Sequence, residues 1–438
     1  VIAHGGVGCR EDLAAPVLQA GAAGTAAGTE FLFLGGRESV VINYPGSDEI
    51  LDLLEIDARP SDFQDNPSVD SPSIRMPAPG QLKTCIRCVI NDSVPGSDLN
   101  SSDICSYCSL HDKLEMEFPL GDQGQENLNA LVDRIKSEGS SKQYDCIVGV
   151  SGGTDSSFLI HTVVELGLRP LAVHFDNTWN STIATSNIHK VLTKLGVDLE
   201  TYVVDNNEYD DIYRSFLRAG VRDVDAATDI AFMSVLYSKA EHYGIKHILE
   251  GHSFRTEGIG PLRWLYMDGA YVTDVHKKYG KVPLKTFPNL KFWPFLRWSA
   301  LRGLERHRPL YHLDYNKEFA KKFLSDKYGW EWYGGHHLEN RFTAFHHTVI
   351  LAERFQIDTR IIEIAALVRS GQISRDEGFN RLAQPNLPDP EIVGLVKKRL
   401  DLTDSEYDSL LSQPLADYTQ FHTYKRRFEL FRPLFWIL

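Results

Sequence analysis

Two glycines, flanked by hydroxyl side chains and one carboxylate, follow a short apolar run in the middle of the chain. The segment Ser151–Ser156, SGGTDS, stands directly after the apolar residues 145–150. Glycines let a backbone approach an anion closely, and the N–H groups that begin a helix attract negative charge. Because Asp155 would repel a bare phosphate, we expect a magnesium ion between its carboxylate and the phosphates. The segment predicts a phosphate site; the alternative is a Ser/Gly turn in which Asp155 only starts a helix.

Four of the six cysteines form two CxxC pairs. Cys85 and Cys88 form the first pair, and Cys105 and Cys108 follow after sixteen intervening residues. Four thiolates at this spacing are typical of a tetrahedral zinc site, and the polar, turn-rich segment between the pairs suits a zinc ribbon. Four protein ligands leave no open coordination position, so the predicted role is structural. An iron–sulfur cluster and chance spacing are the alternatives.

Alternating elements are predicted around the SGGTDS segment. Short apolar runs indicate strands at 145–150, 170–175, 199–204 and 246–250. Helical spacing between them indicates helices, listed here by their expected bounds: 156–166, 183–195 and 226–243. Strands that alternate with helices form a parallel sheet, which makes the fold class α/β. Ligands then bind at the carboxyl ends of the strands, where SGGTDS stands.

Composition divides the chain into five segments. Residues 1–56 are rich in Gly and Ala, and residues 57–81 carry five prolines and read as a linker. The cysteine pairs occupy the predicted zinc ribbon, residues 82–115. The α/β domain is expected over 116–300, and residues 301–438 are expected to be a helical C-terminal region.

The overall composition excludes several classes of protein. The chain has 438 residues and a net charge of −13, which disfavours non-specific binding to nucleic acid. Its apolar runs are too short for a membrane helix, and its start does not resemble a secretory signal. The sparse cysteines do not suggest a disulfide framework, so we expect a cytoplasmic protein.

The SGGTDS segment resembles the signature SGGxDS of the PP-loop ATP pyrophosphatases, whose fold is adenine nucleotide alpha hydrolase-like. The resemblance implies that ATP is cleaved between its α- and β-phosphates, that AMP is transferred to a carbonyl oxygen, and that a nucleophile then displaces AMP. Asp155 and Ser156 would act in catalysis. Pyrophosphate would be held by Ser151, Gly152, Gly153, Thr154, Asp155 and Ser156.

The same resemblance implies roles for residues at two other strand ends. His174, Asp176 and Asn177 would lie near the adenosine, and Gly251 and His252 near the reacting phosphate, where His252 would act in catalysis. Glu257 would join Asp155 as a magnesium ligand and act in catalysis. Hydrogen-bonded structural histidines at 174 and 252, and a solvated carboxylate at 257, are the alternatives.

The order of motifs resembles the N-acetyl sugar amidotransferase family of surface-polysaccharide and lipopolysaccharide biosynthesis. The matching segments are the two CxxC pairs followed by DNTWNS (176–181), GHSFRTEG (251–258), YGGHHLENRFTAF (333–345) and SGQISRDEG (370–378). The resemblance implies that the amide oxygen of an N-acetylated sugar is adenylylated and that ammonia displaces AMP, giving an acetamidino sugar. ATP, Mg²⁺ and Zn²⁺ are the implied cofactors.

Ammonia needs a source, and the chain has no recognisable glutaminase motif. A separate glutaminase subunit is therefore the expected partner. Residues 1–56 resemble the last part of the cyclase subunit of imidazole glycerol phosphate synthase, a (β/α)₈ barrel that conducts ammonia. The resemblance makes this segment a partial barrel fragment and implies a cyclase-like barrel protein or domain as the ammonia conduit.

Two other functions stay open at this point. A PP-loop tRNA sulfurtransferase would need a basic RNA-binding surface or a reactive cysteine, and the net charge and the absence of cysteine after Cys146 weigh against it. A non-catalytic nucleotide-binding module would bind ATP without releasing pyrophosphate. Five charged residues are candidates for contacts with the sugar, or else form ordinary ion pairs: Arg255, Arg263, Lys277, Glu339 and Arg341.

Overall fold

The computed structural model describes residues 2–4, 24–26, 82–261, 264–335, 338–386 and 388–431. The chain divides into two compact units, one of Val1–Ser73 with Thr423–Leu438 and the other of Ile74–His422. In the first unit, strands β1 (Ile2–His4) and β2 (Gly24–Ala26) pair in parallel, and a short helix spans Lys425–Phe431. The rest of the predicted barrel fragment lies outside the described residues, and so does the whole predicted linker, residues 57–81.

The second unit is built on a five-stranded sheet in which every described pairing is parallel. Its strands are β3 (Cys146–Gly149), β4 (Pro170–Asp176), β5 (Leu199–Val203), β6 (His247–Leu249) and β7 (Glu305–His307). The strand order is β5-β4-β3-β6-β7. Strands β4 and β5 follow β3 on one side of it, and β6 and β7 then continue on its other side. The strand order therefore reverses between β3 and β6. The predicted α/β fold is confirmed.

Helices cover both faces of this sheet and continue beyond it. Their bounds are α1 Ser106–Glu117, α2 Asp122–Gly139, α3 Thr154–Glu165, α4 Thr182–Leu195, α5 Asn206–Ala219, α6 Ala226–Tyr243, α7 Gly269–Tyr279, α8 Phe292–Leu296, α9 Lys317–Tyr328, α10 Arg341–Phe345, α11 Arg360–Arg369, α12 Arg375–Ala383, α13 Ile392–Arg399 and α14 Asp404–Ser412. Two π-helical turns span Arg297–Leu301 and His346–Arg354, and two 3₁₀ turns span Pro309–His312 and Tyr418–Gln420.

Each face of the sheet has its own core. Side chains alternate along a strand, so Ile147 of β3 packs into one core with residues of α5, α6 and α7. Its neighbours Cys146 and Val148 pack into the other core with residues of α2, α3, α4 and α9. Because β3, β4 and β6 are buried on both faces, their sequences are short, mostly apolar runs, which is why they could be predicted.

Local sequence sets most helix boundaries. Ser181, Asp205 and Asn316 each accept a hydrogen bond from the first turn of the helix that follows. Gly196, Gly220, Gly244 and Gly329 end helices in the left-handed conformation that glycine adopts most easily.

Strand β7 lies beyond the expected boundary at residue 300 and yet belongs to the sheet. β7 is only three residues long, with the sequence Glu-Arg-His, and it lies at the sheet edge. An edge strand of charged residues has no apolar run to reveal it. Helix α5 was also missed, since its acidic first half resembles a loop although Asp205 caps it and one side is buried.

Within the part of the chain that the structure describes, no helix is both long and apolar enough to cross a membrane.

Candidate active site and zinc knuckle

A cleft of about 350 Å³ lies at the carboxyl ends of β3 and β6, where the strand order reverses. Open parallel sheets bind ligands at this position. The structure places seven predicted site residues in its lining: Ser151, Gly153, Asp155, Ser156, Gly251, His252 and Glu257. It adds others that sequence reasoning did not place there, among them Asp229, Phe232, Met233, Glu250 and Tyr333.

Gly152 gives the loop its shape. Its φ of +81° lies in the left-handed region, and a Cβ there would stand 2.2 Å from the carbonyl oxygen of Ala184 in α4. Trp330 Nε1 donates a 3.0 Å hydrogen bond to the carbonyl oxygen of Gly152. The loop therefore packs closely against α4 and is held by the hydrogen bond from Trp330. At position 152 only glycine fits.

The start of α3 is arranged to receive an anion. The helix begins at Thr154, and its N-cap, Gly153, has no side chain to satisfy the N–H groups of the first turn. Ser151 Oγ accepts a hydrogen bond from the Gly153 N–H and lies 3.2 Å from Ser156 Oγ. Helix dipole, backbone N–H groups and two hydroxyls thus face the same end of the cleft.

Asp155 is held by residues from the segment that leads into α9. Tyr315 donates its hydroxyl proton to Asp155 Oδ1 at 2.8 Å, and Lys317 Nζ lies 3.6 Å from Oδ2. Lys317 also contacts Glu363 Oε1 at 2.9 Å and is 3% exposed. Burial works against its ammonium form, but Asp155, Glu363 and Glu257 raise the Lys317 pKa above its ordinary value. A permanent cation therefore lies beside the loop carboxylate.

The carboxyl end of β6 supplies a second acidic group. His252 Nδ1 forms a close hydrogen bond with Glu257 Oε2, and both side chains line the cleft. A Cβ on Gly251 would stand 2.9 Å from the Ser156 nitrogen, so this strand end packs directly on the phosphate loop. Carboxylate oxygens are the ligands Mg²⁺ prefers, and Asp155 and Glu257 in one cleft fit that cation.

Glu250 lies beside this pair and stays ionised. Arg306 contacts Glu250 Oε1 at 3.1 Å, and Arg308 lies 3.4 Å from Oε2. Burial alone would raise the Glu250 pKa, but the two guanidinium groups lower it below the ordinary value. Both arginines come from β7 and the residue after it, so the edge strand supports the cleft.

Glu339 reaches the phosphate loop from the C-terminal part of the chain. Its Oε1 lies 3.4 Å, and the Tyr333 hydroxyl 3.1 Å, from the point where a Cβ on Gly153 would stand. Burial raises the Glu339 pKa to about 7, and nearby Asp155 and Glu257 contribute to the rise while Lys317 opposes it. A carboxyl group that can take or release a proton near neutral pH therefore faces the loop.

One wall of the cleft is apolar and carries a further carboxylate. Phe232, Met233 and Leu236 lie on α6 and line the cleft together with Asp229, one turn earlier on the same helix. Asp229 is an exposed residue, and its side chain adds a carboxylate to this lining. An apolar wall beside a phosphate site is suited to packing against the ring of a bound ligand.

His174, Asp176 and Asn177 do not line this cleft, and their place near the adenosine stays a prediction. His174 is buried; its Nδ1 lies 2.8 Å from the Val150 carbonyl oxygen and its Nε2 3.2 Å from Asn180 Nδ2. Asp176 Oδ1 accepts from the Thr178 N–H at 2.7 Å. These side chains shape the loop after β4, and burial lowers the His174 pKa.

The loop after β4 is joined to the segment that carries Glu339. Asn340 Nδ2 donates to Asn177 Oδ1 at 2.8 Å and to Asn180 Oδ1 at 3.1 Å. Backbone bonds lie on both sides, from Ser181 N–H to the Glu339 carbonyl and from Arg341 N–H to the Trp179 carbonyl. Asn340 also caps α10. The position of Glu339 is therefore set by DNTWNS.

The other charged residues proposed to contact a sugar are placed elsewhere. Arg255 is 3% exposed and donates to Glu115 Oε1 and to the carbonyl oxygens of Tyr311 and Phe118. Arg341 pairs with Asp389 at 2.8 Å. Lys277 is an exposed residue of α7, and Arg263 lies outside the described residues. Of the five, Glu339 is the one that the structure places in the cleft lining.

The four CxxC cysteines converge in a buried knuckle. All four are fully buried, with Cys85 Sγ 3.7 Å from Cys108 Sγ and Cys88 Sγ 3.7 Å from Cys105 Sγ. Tetrahedral thiolates about 2.3 Å from a zinc ion stand roughly 3.8 Å apart, so the spacing fits. The N–H groups of Arg87 and Ile90 point at the sulfurs, as expected around a thiolate metal site.

The knuckle is fastened to the C-terminal helices. Arg375, in α12, donates to the carbonyl oxygens of Cys88 and Cys85 at 3.0 and 2.7 Å. Arg369, in α11, lies with its NH1 3.9 Å from Cys88 Sγ. The first cysteine pair thus contacts two helices that are distant in sequence.

The parallel sheet, the cleft at the reversal of strand order and the SGGTDS loop together define a PP-loop α/β fold. Residues 339–434 match a family model described as "LPS biosynthesis protein WbpG-like, C-terminal domain". The predicted resemblance to lipopolysaccharide-biosynthesis proteins is thereby confirmed for this part of the chain, which begins at Glu339. The resemblance of residues 1–56 to the cyclase stays a prediction.

Solved structures give weaker similarities. An NH3-dependent NAD synthetase from Campylobacter jejuni aligns at 13% identity over 67% of this chain and 97% of its own, with a TM-score of 0.29. An NMN synthetase from Francisella tularensis aligns at 13% identity over 67% and 98%, with a TM-score of 0.27. A predicted subunit of tRNA methyltransferase from Methanocaldococcus jannaschii aligns at 15% identity over 41% and 73%, with a TM-score of 0.24. No curated protein matches the chain.

Proposed function

We propose that the protein is an ATP-dependent amidotransferase that converts the N-acetyl group of a sugar into an acetamidino group during synthesis of lipopolysaccharide or a related surface glycan. One observation carries the proposal: a domain of lipopolysaccharide-biosynthesis type brings Glu339 onto an SGGTDS phosphate loop. The cleft thus combines a site for ATP phosphates with a residue from a glycan-synthesis domain.

The proposed reaction has two steps. In the first, the amide oxygen of the N-acetyl group attacks the α-phosphorus of ATP and pyrophosphate leaves, held by the first turn of α3 and the hydroxyls of Ser151 and Ser156. In the second, the nitrogen of ammonia bonds to the activated carbon, and the carbon–oxygen bond breaks. AMP departs with the former amide oxygen and a proton is released. An amide oxygen is a poor leaving group and AMP a good one, which is why ATP is needed.

The residues of the cleft divide this work. Asp155 and Glu257 would hold magnesium, which when bound neutralises the phosphates. Lys317 adds a fixed positive charge beside Asp155, and Tyr315 orients that carboxylate. The wall formed by Phe232, Met233 and Leu236 would cover the adenine or the sugar ring.

Zinc and ammonia supply complete the proposal. The four cysteines would bind a structural zinc ion that ties the knuckle to α11 and α12. Ammonia would come from a separate glutaminase subunit, conducted by a cyclase-like barrel protein or domain. The enzyme would act in the cytoplasm, where ATP and activated sugars are made.

The test is product formation from ATP, Mg²⁺, ammonium chloride and a panel of N-acetylated sugars, free and nucleotide-linked. We expect AMP, pyrophosphate and a sugar about one dalton lighter, since an oxygen is replaced by NH. Asp155→Asn should abolish all three products. Asp326→Asn, which changes an exposed aspartate of α9, is the matched control and should retain them.

Two outcomes would contradict the proposal. AMP formed with tRNA and a sulfur donor, but with no sugar, would make the protein a sulfurtransferase. Tight ATP binding by the folded protein without AMP formation under any condition would make it a nucleotide-binding module.

A further inference from the structure

Two histidines and a glutamate meet at the edge of the sheet, outside the cleft. In the parallel pairing of β6 with β7, His247 stands opposite Glu305, and His307 follows two residues later on the same side of β7. His247 is 1% and His307 7% exposed, whereas Glu305 is nearly half exposed. The group is therefore buried at the imidazoles and accessible from the carboxylate side.

The donor atoms are spaced as metal ligands are. His247 Nδ1 lies 3.1 Å from His307 Nε2, which lies 3.6 Å from Glu305 Oε2. All three residues offer a ligand atom within 4.8 Å of the others. Ligands about 2.0–2.1 Å from a tetrahedral zinc ion stand roughly 3.3 Å apart, between the two measured values.

A simple hydrogen bond between the two imidazoles explains the group less completely. It leaves His247 Nε2 buried with no hydrogen-bond partner among the described residues. That atom points towards Glu138 Oε2, 3.6 Å away. A metal on Nδ1 would place the imidazole proton on Nε2, facing this carboxylate, the arrangement that commonly orients a metal-bound histidine.

The surrounding charges suit neutral imidazole ligands. Burial lowers the pKa of His247, and it lowers the pKa of His307 to about 3, so both rings are uncharged at neutral pH. Arg134 donates to Glu305 Oε2 at 2.9 Å, and Lys246 donates to Glu138 Oε2 at 2.9 Å. The hydrogen bond from Lys246 lowers the Glu138 pKa, and Arg134 would have to share Glu305 with a metal.

We propose that His247, Glu305 and His307 form a second metal site, for a divalent cation of the zinc class, that clips edge strand β7 to β6. Imidazole nitrogens with one carboxylate are a typical zinc ligand set. The site lies next to Arg306, which holds Glu250 in the cleft together with Arg308. A metal at the sheet edge would therefore stiffen the support of an active-site carboxylate.

Zinc content of the full-length protein tests the site without any activity measurement. After equilibration with Zn²⁺ alone and removal of loosely bound metal, we expect His247→Gln, Glu305→Gln and His307→Gln each to carry about one equivalent less zinc than the wild type. His189→Gln, a histidine outside the group, is the control and should carry the wild-type amount.

Cobalt substitution separates this site from the cysteine knuckle and checks folding. Thiolate-bound cobalt has an intense charge-transfer band, so Glu305→Gln, which changes the half-exposed ligand, should keep that band while losing about one equivalent of cobalt. Equal zinc in the wild type and in a folded Glu305→Gln or His307→Gln protein, with the knuckle saturated, would overturn the second site. This result would not depend on whether the amidotransferase proposal holds.

Discussion

One carboxyl group that titrates near neutral pH faces the cleft. Burial raises the pKa of Glu339 to about 7, whereas Arg306 and Arg308 keep the pKa of Glu250 low. The cleft therefore contains both a permanent anion and a group that can exchange a proton. In the proposed reaction, Glu339 would take up the proton that ammonia releases on attacking the activated amide.

Glu339 has a consequence for stability that can be measured. Because its pKa is raised from 4.5 to about 7, the folded state binds a proton over that pH range that the unfolded state does not. The free energy of unfolding should fall as pH rises through this range and level off above it. Relative to the wild type, the free energy of unfolding of Glu339→Gln should rise by about 2–3 kcal/mol between pH 5 and pH 8, measured by urea unfolding.

Glu331→Gln is the control for this prediction, since Glu331 is exposed and pairs with Lys190 on the surface. Its stability relative to the wild type should change little between the two pH values. A Glu339→Gln difference that does not vary with pH would show that this carboxyl is not buried in solution.

The residues of the site differ in how visible they are in the sequence. The loop residues Ser151–Ser156 form one contiguous motif whose chemistry is legible without a fold. Lys317 and Tyr315 reach Asp155 from about 160 residues away and have no motif of their own. Their roles arise from tertiary contacts, which no local pattern encodes.

At the scale of elements, Gly152 should be the least replaceable residue of the loop. In Gly152→Ala, the new Cβ would stand at a residue of positive φ and 2.2 Å from the Ala184 carbonyl oxygen. We therefore expect the free energy of unfolding to fall by about 1–3 kcal/mol and ATP to bind at least tenfold more weakly. Gly196→Ala is the matched control, since Gly196 has a φ of +66° but open space around it. This substitution should lower the free energy of unfolding by about 1 kcal/mol. ATP binding, measured by calorimetry, should stay unchanged.

The knuckle should depend on the helix that supports it. Arg375→Ala removes two hydrogen bonds to cysteine carbonyls, and we expect the dissociation constant for zinc to rise roughly tenfold, measured by chelator competition. Arg381→Ala, on the same helix but paired only with Glu377 on the surface, should leave it unchanged. Equal zinc affinity in both variants would show that α12 does not support the metal site.

Prediction of elements succeeded where burial produces a pattern. Strands β3 and β4 are buried on both faces and mostly apolar, so the sequence predicts their bounds within one or two residues. Strand β7 is charged and three residues long, and its place in the sheet is set by pairing with β6 rather than by its own sequence. Edge strands of this kind can be identified from the tertiary structure but not from their own sequence.

At the scale of the whole molecule, Asn340 connects the PP-loop sheet to the segment 339–434, which is similar to the lipopolysaccharide-biosynthesis family model. Asn340→Ala would remove a helix cap and the hydrogen bonds that Asn340 donates to the side-chain oxygens of Asn177 and Asn180, so we expect the free energy of unfolding to fall by about 2–4 kcal/mol. Asn316→Ala removes a comparable cap at the surface end of α9 and should cost only about 1 kcal/mol. Similar losses in the two variants, by thermal or urea unfolding, would show that the asparagine cluster contributes nothing beyond capping.

Transfer of the amide oxygen is the most direct test of the central claim. The N-acetyl carbonyl of a sugar that supports AMP formation is labelled with ¹⁸O, and the AMP is analysed by mass spectrometry. The account predicts that AMP carries the label and that the sugar product has lost it. Unlabelled AMP alongside a sugar that keeps its ¹⁸O would show that the amide oxygen is never adenylylated, and the amidotransferase mechanism would be wrong.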